Sequence, residues 1–203
     1  YLRPNAQYIG EQQSGKSRFH IKVEFKTVDL INSIVTGFLQ ISGLTENHSE
    51  IITCFKDHNN HNEQIIRKYS FITENKQWGS YIKNDFEHWK KLSNMSDLSD
   101  EELQQRLIRI QNGEEDNEFI YMRWKEEFLL PDSRVKQISG ASFDGFYYIV
   151  LNIGQTSSIG ENNPNMIPGS ISGLYYHKSS EKFQSLSLRY VDDRGISGSF
   201  EFV

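Results

Sequence analysis

Apolar and polar residues alternate along the first part of the chain in the pattern of half-buried β-strands. In residues 19–26 every second side chain is apolar and those between are polar, which is the two-residue period of a strand with one buried face. Residues 34–42 predict a second strand, and the polar residues 29–33 predict the hairpin turn between the two. Residues 51–55 and 65–69 are expected to form another strand pair, joined by a strongly polar loop.

The period changes in the middle of the chain. Between residues 78 and 92, apolar side chains recur every three to four positions, which is the helical period. Ser99 and Glu102 have the spacing of a capping box at the start of a second helix, and Gly113 has the position of its end. We therefore expect a two-helix insertion at about residues 76–112, between two groups of strands.

Turn-rich segments separate several strand patterns in the C-terminal half. Strands are expected at residues 118–124, 143–151, 173–177 and 184–191, which are rich in aromatic and β-branched residues. About eight strands without alternating helices favour a mainly β protein, an antiparallel β-barrel or sandwich that holds one small ligand at its mouth. The length of 203 residues fits a single domain.

Composition narrows the class of protein. The chain has 22 Lys and Arg residues against 27 Asp and Glu residues, so it lacks the positive field of a nucleic-acid or anionic-membrane binder. No apolar run reaches the roughly 20 residues of a membrane helix, and 13 Phe, 10 Tyr and 3 Trp residues predict an aromatic core. We expect a soluble protein whose partners include neither nucleic acid nor a membrane. The single cysteine, Cys54, suits a reducing compartment and predicts a small core residue.

Three patterns that can carry chemistry are better explained without it. His58 and His61 beside Asp57 lack a third ligand in an Asn-rich loop, so no metal site is predicted. The glycine-containing residues 10–15 lack the Lys-Ser/Thr ending of a phosphate-binding loop. No GxSxG motif marks a nucleophilic serine. The sequence therefore predicts neither a cofactor nor a catalytic residue.

The segment from residue 121 to residue 148 is the most informative about a binding site. Glu126 and Glu127 stand beside Trp124 and the apolar residues 128–130, near the end of a predicted strand. One carboxylate can face inward, and a buried carboxylate is costly unless a cation or a hydrogen-bond donor reaches it. No lysine is obviously dedicated to it. Either the pair is exposed at a strand end, or the missing cation belongs to a ligand.

Small residues follow in the same segment. Gly140, Ser142 and Gly145 predict a tight turn in which a ligand backbone can approach the protein backbone closely, or simply a hairpin. With Tyr175 and Gln184 on later strands, the mouth would combine a carboxylate, phenols and an amide with apolar walls. This combination suits a peptide end more than a sugar or a lipid.

Four long motifs give the chain a family resemblance. They are GFLQISGLTE from Gly37, MRWKEEFLLPD from Met122, ISGASFDGFYYI from Ile138 and YYHKSSEKFQSLSL from Tyr175. Together they resemble the substrate receptors of the GID ubiquitin ligase, called CTLH in animals, which form the vacuolar import and degradation receptor family. The start YLRP with its QQSG continuation is most similar to fungal members.

The resemblance implies a fold and a function. In that family an antiparallel β-barrel with a helical insertion binds proteins that begin with an unblocked proline, or less tightly with another small or apolar residue. The receptor delivers these proteins for ubiquitylation and catalyses no reaction itself. Residues 54–66 differ from the family's usual aromatic-acidic-glycine stretch, so the range of substrates can differ.

The resemblance also implies roles for individual residues. Glu126 matches the family's ammonium-binding glutamate, and Tyr147 matches the tyrosine beside it. Ser142 matches the residue that hydrogen-bonds the second peptide unit, and Gln184 matches the amide that reaches further along the peptide. The apolar walls and the rim of the site fall on Ile41, Leu44, Ile51, Phe143 and Tyr175, and on Gln12 and Gly140.

The last residues carry a separate expectation. We expect residues 1–191 to form the receptor domain and residues 192–203 to form a C-terminal anchor tail. In the resembled receptors the C-terminal end docks into an armadillo-like scaffold subunit, which assigns Phe200, Phe202 and Val203 to that contact. The alternating phenylalanines equally allow a final edge strand of the barrel at 199–203. The resemblance further implies a cytoplasmic protein that can also be nuclear.

Two other functions remain open from the residues alone. A lipocalin-like carrier of an apolar ligand would also use an aromatic barrel, but it would not need a lone inward glutamate. An enzyme could use Glu126 or Asp144 as a general base. No second acid, nucleophile or metal set converges with these carboxylates in the sequence, which makes the enzyme the weaker alternative.

Overall fold

Nine strands and two helices lie in the part of the chain that the computed structural model describes, which is residues 1–32, 34–46, 49–57, 70–71, 82–93, 95–116, 118–135, 138, 144–154, 167–177 and 184–192. The strands are β1 (Gln7–Ser14), β2 (Ser17–Asp29), β3 (Ile34–Ser42), β4 (Glu50–Asp57), β5 (Ser70–Phe71), β6 (Phe119–Leu130), β7 (Phe146–Asn152), β8 (Ser170–Tyr176) and β9 (Gln184–Tyr190). The helices are α1 (Ile82–Leu92) and α2 (Asp100–Asn112), and both stand between β5 and β6 in the chain.

Eight of the strands form a closed antiparallel barrel. Strands β4, β3, β2 and β1 lie side by side, β1 pairs with β9, and β8, β7 and β6 continue the sheet. Pairing between β4 and β6 closes it. The two-residue strand β5 adds to β6 in parallel, opposite Tyr121 and Met122. The predicted mainly β fold, a barrel of about eight strands with a helical insertion, is confirmed.

Aromatic side chains fill one level of the barrel interior. Trp124 of β6 stacks on Phe55 of β4 with ring centroids 4.5 Å apart, and it meets the ring of Phe25 edge to face at 5.7 Å. Tyr8 of β1 also meets Phe25, at 5.5 Å. All four side chains are fully buried, as the aromatic composition predicts. Glu126 occupies the next inward position along β6 after Trp124.

The two helices cover the outer face of the barrel. Phe86 and Trp89 of α1 and Leu103 of α2 pack with Tyr148 and Val150 of β7 in a second buried cluster. Because successive residues of β7 point to opposite faces, this strand contributes to the barrel interior and to the layer beneath the helices at once. Strand β7 is accordingly buried along its whole length.

The ends of α2 follow the signals in the sequence. The backbone N–H of Glu102 donates to Ser99 Oγ at 3.1 Å, and the backbone N–H of Ser99 donates to Glu102 Oε2 at 2.7 Å. The predicted capping box is therefore confirmed. Gly113 ends the helix with a φ of 76°, a left-handed conformation that glycine adopts without steric cost. Neither described helix combines the length and the apolar character needed to cross a membrane.

One strand of the barrel was not predicted from the sequence. Strand β1 covers Gln7–Ser14, and Tyr8, Gly10 and Gln12 share one of its faces. A glycine and a glutamine at these positions interrupt the apolar alternation by which strands are recognised. The segment rejected as a phosphate-binding loop is therefore the end of β1 and its hairpin turn into β2.

Other predicted elements agree in position more than in length. Strand β3 has the predicted bounds, and β2 is longer at both ends than the predicted strand of residues 19–26. Strand β6 continues to Leu130, well beyond the predicted end at residue 124. The predicted strands at 65–69 and 199–203 and the predicted start of the first helix at 78–81 lie outside the described residues. The predicted pairing of residues 51–55 with residues 65–69 is wrong, because β3 and β6 occupy the two edges of β4.

Candidate functional site

The inward positions of β6 run through Met122 and Trp124 to Glu126, and a β-bulge follows directly after this glutamate. Phe55 of β4 pairs with Glu126, whereas Cys54 pairs with Phe128, so Glu127 has no partner in this pairing. An extra residue of this kind bends a strand and redirects its side chains, often beside a functional site. Glu126 is 5% exposed and lies inside the barrel, while Glu127 is exposed.

Among the described residues, the surroundings of Glu126 provide a hydrogen bond but no ion-pair partner. Thr53 Oγ1 donates to Glu126 Oε1 at 2.6 Å. Lys125 is the neighbour in sequence, but its Nζ donates to the backbone oxygen of Gly145 at 2.8 Å. Within the described ranges, no Lys, Arg or His forms an ion pair with Glu126. Burial raises the pKa of Glu126 to about 7, against the opposing effects of the Thr53 hydrogen bond and the Lys125 charge.

A chain of hydrogen bonds across three strands lies at the same end of the barrel. The hydroxyl of Tyr147 in β7 donates to Gln12 Oε1 in β1 at 2.9 Å. Gln12 Nε2 in turn donates to Gln184 Oε1 in β9 at 2.5 Å. Burial and the charge of Glu126 hold the pKa of Tyr147 well above its usual range. The phenol therefore stays protonated and donates its hydrogen bond to Gln12. Its oxygen retains lone pairs that can accept a hydrogen bond.

The start of β7 is held by contacts from both sides. The backbone N–H of Gly145 donates to the Tyr175 hydroxyl at 2.9 Å, while its carbonyl oxygen accepts from Lys125. A Cβ atom on Gly145 would lie 2.4 Å from the carbonyl oxygen of Tyr176, so only glycine fits. The ring of Tyr175 also meets that of Tyr147 edge to face at 5.1 Å. These contacts fix the two tyrosines relative to the backbone of β7.

Apolar side chains form a row across the neighbouring strands. Ile21 of β2 pairs with Ile41 of β3, and Ile41 pairs with Ile51 of β4. All three are buried, and Leu44 packs against the same cluster while partly exposed. Because Thr53 follows Ile51 on the inward face of β4, the apolar row adjoins the carboxylate of Glu126.

The structure brings together most of the residues that the sequence singled out. The described residues in this arrangement are Glu126, Tyr147, Gln12, Gln184, Tyr175, Ile41, Ile51 and Leu44. The predicted residues outside the described part of the chain are Gly140, Ser142, Phe143, Phe200, Phe202, Val203, His58 and His61.

Thr53 and Ile21 are the described residues of this arrangement that sequence reasoning missed. The signal for Thr53 was present, because it alternates with Ile51 and Phe55 at the inward positions of a predicted strand. Ile21 lies in the strand pattern of residues 19–26 in the same way. We name these ten described residues the mouth cluster. It offers a carboxylate, a phenol oxygen and amides beside apolar walls, which suits a cationic head on an apolar body.

A second concave region lies on the outside of the barrel. A groove of about 710 Å³ runs along β1 and β9 and is lined in part by Tyr1, Ile9, Ile167 and Arg189. No residue of the mouth cluster lines it. The mouth cluster holds the buried carboxylate Glu126 and is therefore the better candidate for specific recognition.

Comparisons with known proteins give a consistent result. Residues 1–191 match the protein family described as vacuolar import and degradation protein. The chain is 36% identical over 201 residues to the glucose-induced degradation protein 4 homolog of Mus musculus, which covers 95% of this chain and 78% of that protein. It is 32% identical over 236 residues to the GID complex substrate-recognition subunit 4 of Saccharomyces cerevisiae, covering 93% of this chain and 62% of that protein.

A third relative extends the comparison to another yeast. The chain is 30% identical over 202 residues to the GID complex substrate-recognition subunit 4 of Schizosaccharomyces pombe, covering 96% of this chain and 93% of that protein. The family match spans every residue of the mouth cluster.

Proposed function

We propose a function on the premise of family membership, since the chain belongs to the vacuolar import and degradation protein family. The proposed role is that of the substrate-recognition subunit in a multi-subunit ubiquitin ligase of the GID type. The names of its two yeast relatives describe substrate recognition in the GID complex. In this role the protein binds substrates and presents them for ubiquitylation, and it catalyses no step itself.

The proposed ligand is the unblocked N-terminus of a protein that begins with proline. The observation that supports it is a buried carboxylate, Glu126, with no ion-pair partner among the described residues. A proline N-terminus carries a secondary ammonium with two N–H donors. The Glu126 carboxylate and the Tyr147 oxygen can accept one each, while the ring packs against Ile41 and Ile51. Other small or apolar first residues satisfy the same requirements less completely.

The remaining residues extend the proposal along the peptide. Gln12 and Gln184 are already joined by a hydrogen bond at the barrel end, and amides of this kind can exchange it for bonds to a peptide backbone. Ser142 is assigned to the second peptide unit. Gly140 and Phe143 are assigned to the rim and the wall.

Calorimetry with a panel of short peptides tests this function. The peptides differ only in the first residue and its acetylation, with an unblocked proline, an unblocked glycine and an N-acetylated proline as the central members. We expect the unblocked proline to bind most tightly, and the acetylated peptide to lose at least tenfold in affinity because it has neither charge nor donor. Equal binding of the acetylated and unblocked peptides would contradict the proposal and favour a carrier of apolar ligands.

We further propose that residues 192–203 anchor the protein to an armadillo-like scaffold subunit in the cytoplasm or nucleus. Phe200, Phe202 and Val203 are the assigned contacts, and aromatic anchors often dominate interface energetics. Deletion of residues 198–203 should abolish co-purification with the scaffold and leave peptide affinity unchanged. Loss of folding or of peptide binding in this variant would instead indicate that the tail forms a final edge strand of the barrel.

A further inference from the structure

Thr53 lies between the carboxylate of Glu126 and the backbone of the next strand. It is 1% exposed, and it pairs with Leu39 of β3 on one side and with Leu129 of β6 on the other. Its Oγ1 is 2.6 Å from Glu126 Oε1 and 3.4 Å from the backbone oxygen of Leu39. One hydroxyl therefore has two acceptors within reach.

A threonine hydroxyl has a single proton and two lone pairs, so it can serve both charge states of its neighbour. With Glu126 ionised, the proton goes to Oε1, and 2.6 Å is the length of a charge-assisted O–H···O⁻ bond. With Glu126 protonated, the carboxyl group donates to Thr53 Oγ1, and the hydroxyl proton turns to the Leu39 carbonyl. In either state both buried groups keep a hydrogen bond, and leaving one without a bond is costly.

We propose that Thr53 is a positioning residue for substrate binding, whose hydroxyl rotates between Glu126 and the Leu39 carbonyl. In the empty site the rotation keeps a buried carboxyl group satisfied without a cation. When the ammonium of a ligand binds, the hydroxyl holds Oε1 in place while the carboxylate accepts hydrogen bonds from the ammonium. The part of this inference that concerns the ligand rests on the proposed function, whereas the coupling of Thr53 to Glu126 does not.

Of the described groups around Glu126, Thr53 is the one that donates a hydrogen bond to its carboxylate. Lys125 of β6 and Tyr147 of β7 are the titratable groups that act electrostatically on or with Glu126, and Thr53 of β4 is neutral. The Lys125 ammonium donates to Gly145, and the Tyr147 hydroxyl donates to Gln12. Among the described residues, the hydrogen bond received by the Glu126 carboxylate comes from Thr53.

Three substitutions of Thr53 separate positioning from packing. Thr53→Val keeps the shape and removes the hydroxyl, Thr53→Ser keeps the hydroxyl, and Thr53→Ala is the alternative should valine prevent folding. Thr36→Val in β3 is the matched control, because Thr36 lies at an outward position. For each protein, NMR titration of the Glu126 carboxyl is recorded without ligand, and affinity for an unblocked Pro-starting peptide is measured across pH.

In Thr53→Val we expect the pKa of Glu126 to rise, because the hydrogen bond that lowers it is lost. Peptide affinity should fall by about tenfold near pH 6 and recover in part at higher pH, as the carboxylate ionises. Thr53→Ser should restore both properties, and Thr36→Val should change neither. An unchanged Glu126 titration and pH profile in Thr53→Val and Thr53→Ala would overturn the proposal.

The two readouts distinguish this inference from the proposed function. If the wild-type protein binds no Pro-starting peptide, the proposed function fails, and with it the role of Thr53 in binding. The titration of Glu126 in the free protein still shows whether Thr53 holds the carboxyl group. If the wild type binds but the Thr53 variants match it at every pH, only the role of Thr53 is wrong.

Discussion

Two carboxylates are buried on opposite sides of strand β6, and their surroundings differ in one respect. On the outer side, Asp85 of α1 forms an ion pair with Arg123 of β6, and both side chains are 1% exposed. The guanidinium of Arg123 also lies over the ring of Trp89, 5.7 Å from its centroid. On the inner side, Glu126 of the same strand accepts a hydrogen bond from the Thr53 hydroxyl and has no ion-pair partner in the described part of the chain.

The difference shows how the fold handles buried charge. Where a carboxylate joins the helical insertion to the barrel, the sequence places an arginine opposite it, because an unpaired buried charge is strongly destabilising. At the barrel mouth the cation of the same strand, Lys125, lowers the pKa of Glu126 by its charge, but its ammonium donates to the Gly145 carbonyl oxygen and forms no ion pair with Glu126. The outer pair is a structural contact, and the proposed function assigns the inner carboxylate to a cation from a ligand.

The largest effect is expected from breaking the outer pair. Arg123→Met leaves Asp85 buried without its cation and should lower the free energy of unfolding by about 3–5 kcal/mol, measured by urea denaturation. Lys91→Met is the matched control, because Lys91 pairs with Glu87 on the exposed face of α1 and its loss should cost at most about 0.5 kcal/mol. Equal costs for the two variants would mean that the Asp85–Arg123 pair is not a structural contact of the kind described.

Removing the charge of the inner carboxylate should stabilise the folded protein above about pH 7, whereas removing the charge of Arg123 should destabilise it. In the folded protein the pKa of Glu126 is raised from 4.5 to about 7, so the folded state binds more protons than the unfolded state between these values. Stability should therefore fall as pH rises through this window, by about 3 kcal/mol in total. Glu126→Gln should remove this loss and be the more stable protein above about pH 7. A pH dependence of unfolding identical to that of the wild type would contradict the assignment.

The same substitution should weaken binding of the proposed ligand. Glu126→Gln is expected to weaken binding of a Pro-starting peptide by at least tenfold, since a hydrogen bond to a charged group contributes about 1.5–3 kcal/mol. Glu127→Gln is the control, because Glu127 is exposed on the other side of the bulge, and it should change the affinity much less. Calorimetry that shows equal losses would assign the ammonium contact to the wrong carboxylate.

Peptide affinity should depend on pH in a bell shape. The free site titrates with the Glu126 pKa of about 7, so below this pH affinity should fall by up to about tenfold per pH unit. On the alkaline side affinity falls as the amine of the peptide loses its proton. Binding near neutral pH should also release protons, which calorimetry in buffers of different ionisation enthalpy detects. A flat profile from acid to alkaline pH would exclude an ion pair with Glu126.

A smaller effect is expected from adjacent tyrosines on the two faces of β7. Tyr147→Phe removes the phenol oxygen at the mouth and should weaken peptide binding about three- to tenfold. Tyr148→Phe changes the neighbouring side chain, which stacks on His88 beneath α1, and should leave peptide affinity unchanged. A larger loss of affinity in Tyr148→Phe would show that the outer layer, and not the mouth cluster, controls binding.

Strand and helix positions followed from the local pattern, and the barrel strand that was missed has an identifiable cause. The alternation in β2 and the capping box of α2 are local signals, and both agree with the structure. Strand β1 escaped prediction because Gly10 and Gln12 occupy the face that elsewhere is apolar. Gln12 belongs to the mouth cluster, so the requirements of the site weakened the very pattern that identifies a strand.

The sequence by itself determined that the chain forms a mainly β fold with two inserted helices, because apolar period and capping are properties of neighbouring residues. It also placed Glu126, Tyr147 and Gln184 among the candidates. Only the tertiary structure decided that a bulge follows Glu126, so that both Glu126 and Leu129 are buried, because this bulge depends on pairing with β4, a strand about 70 positions away in the chain. It likewise decided that Lys125 donates a hydrogen bond to the Gly145 carbonyl oxygen and that Thr53 donates one to Glu126. Hydrogen bonds and charge compensation depend on which side chains meet across the barrel, and barrel closure sets those meetings.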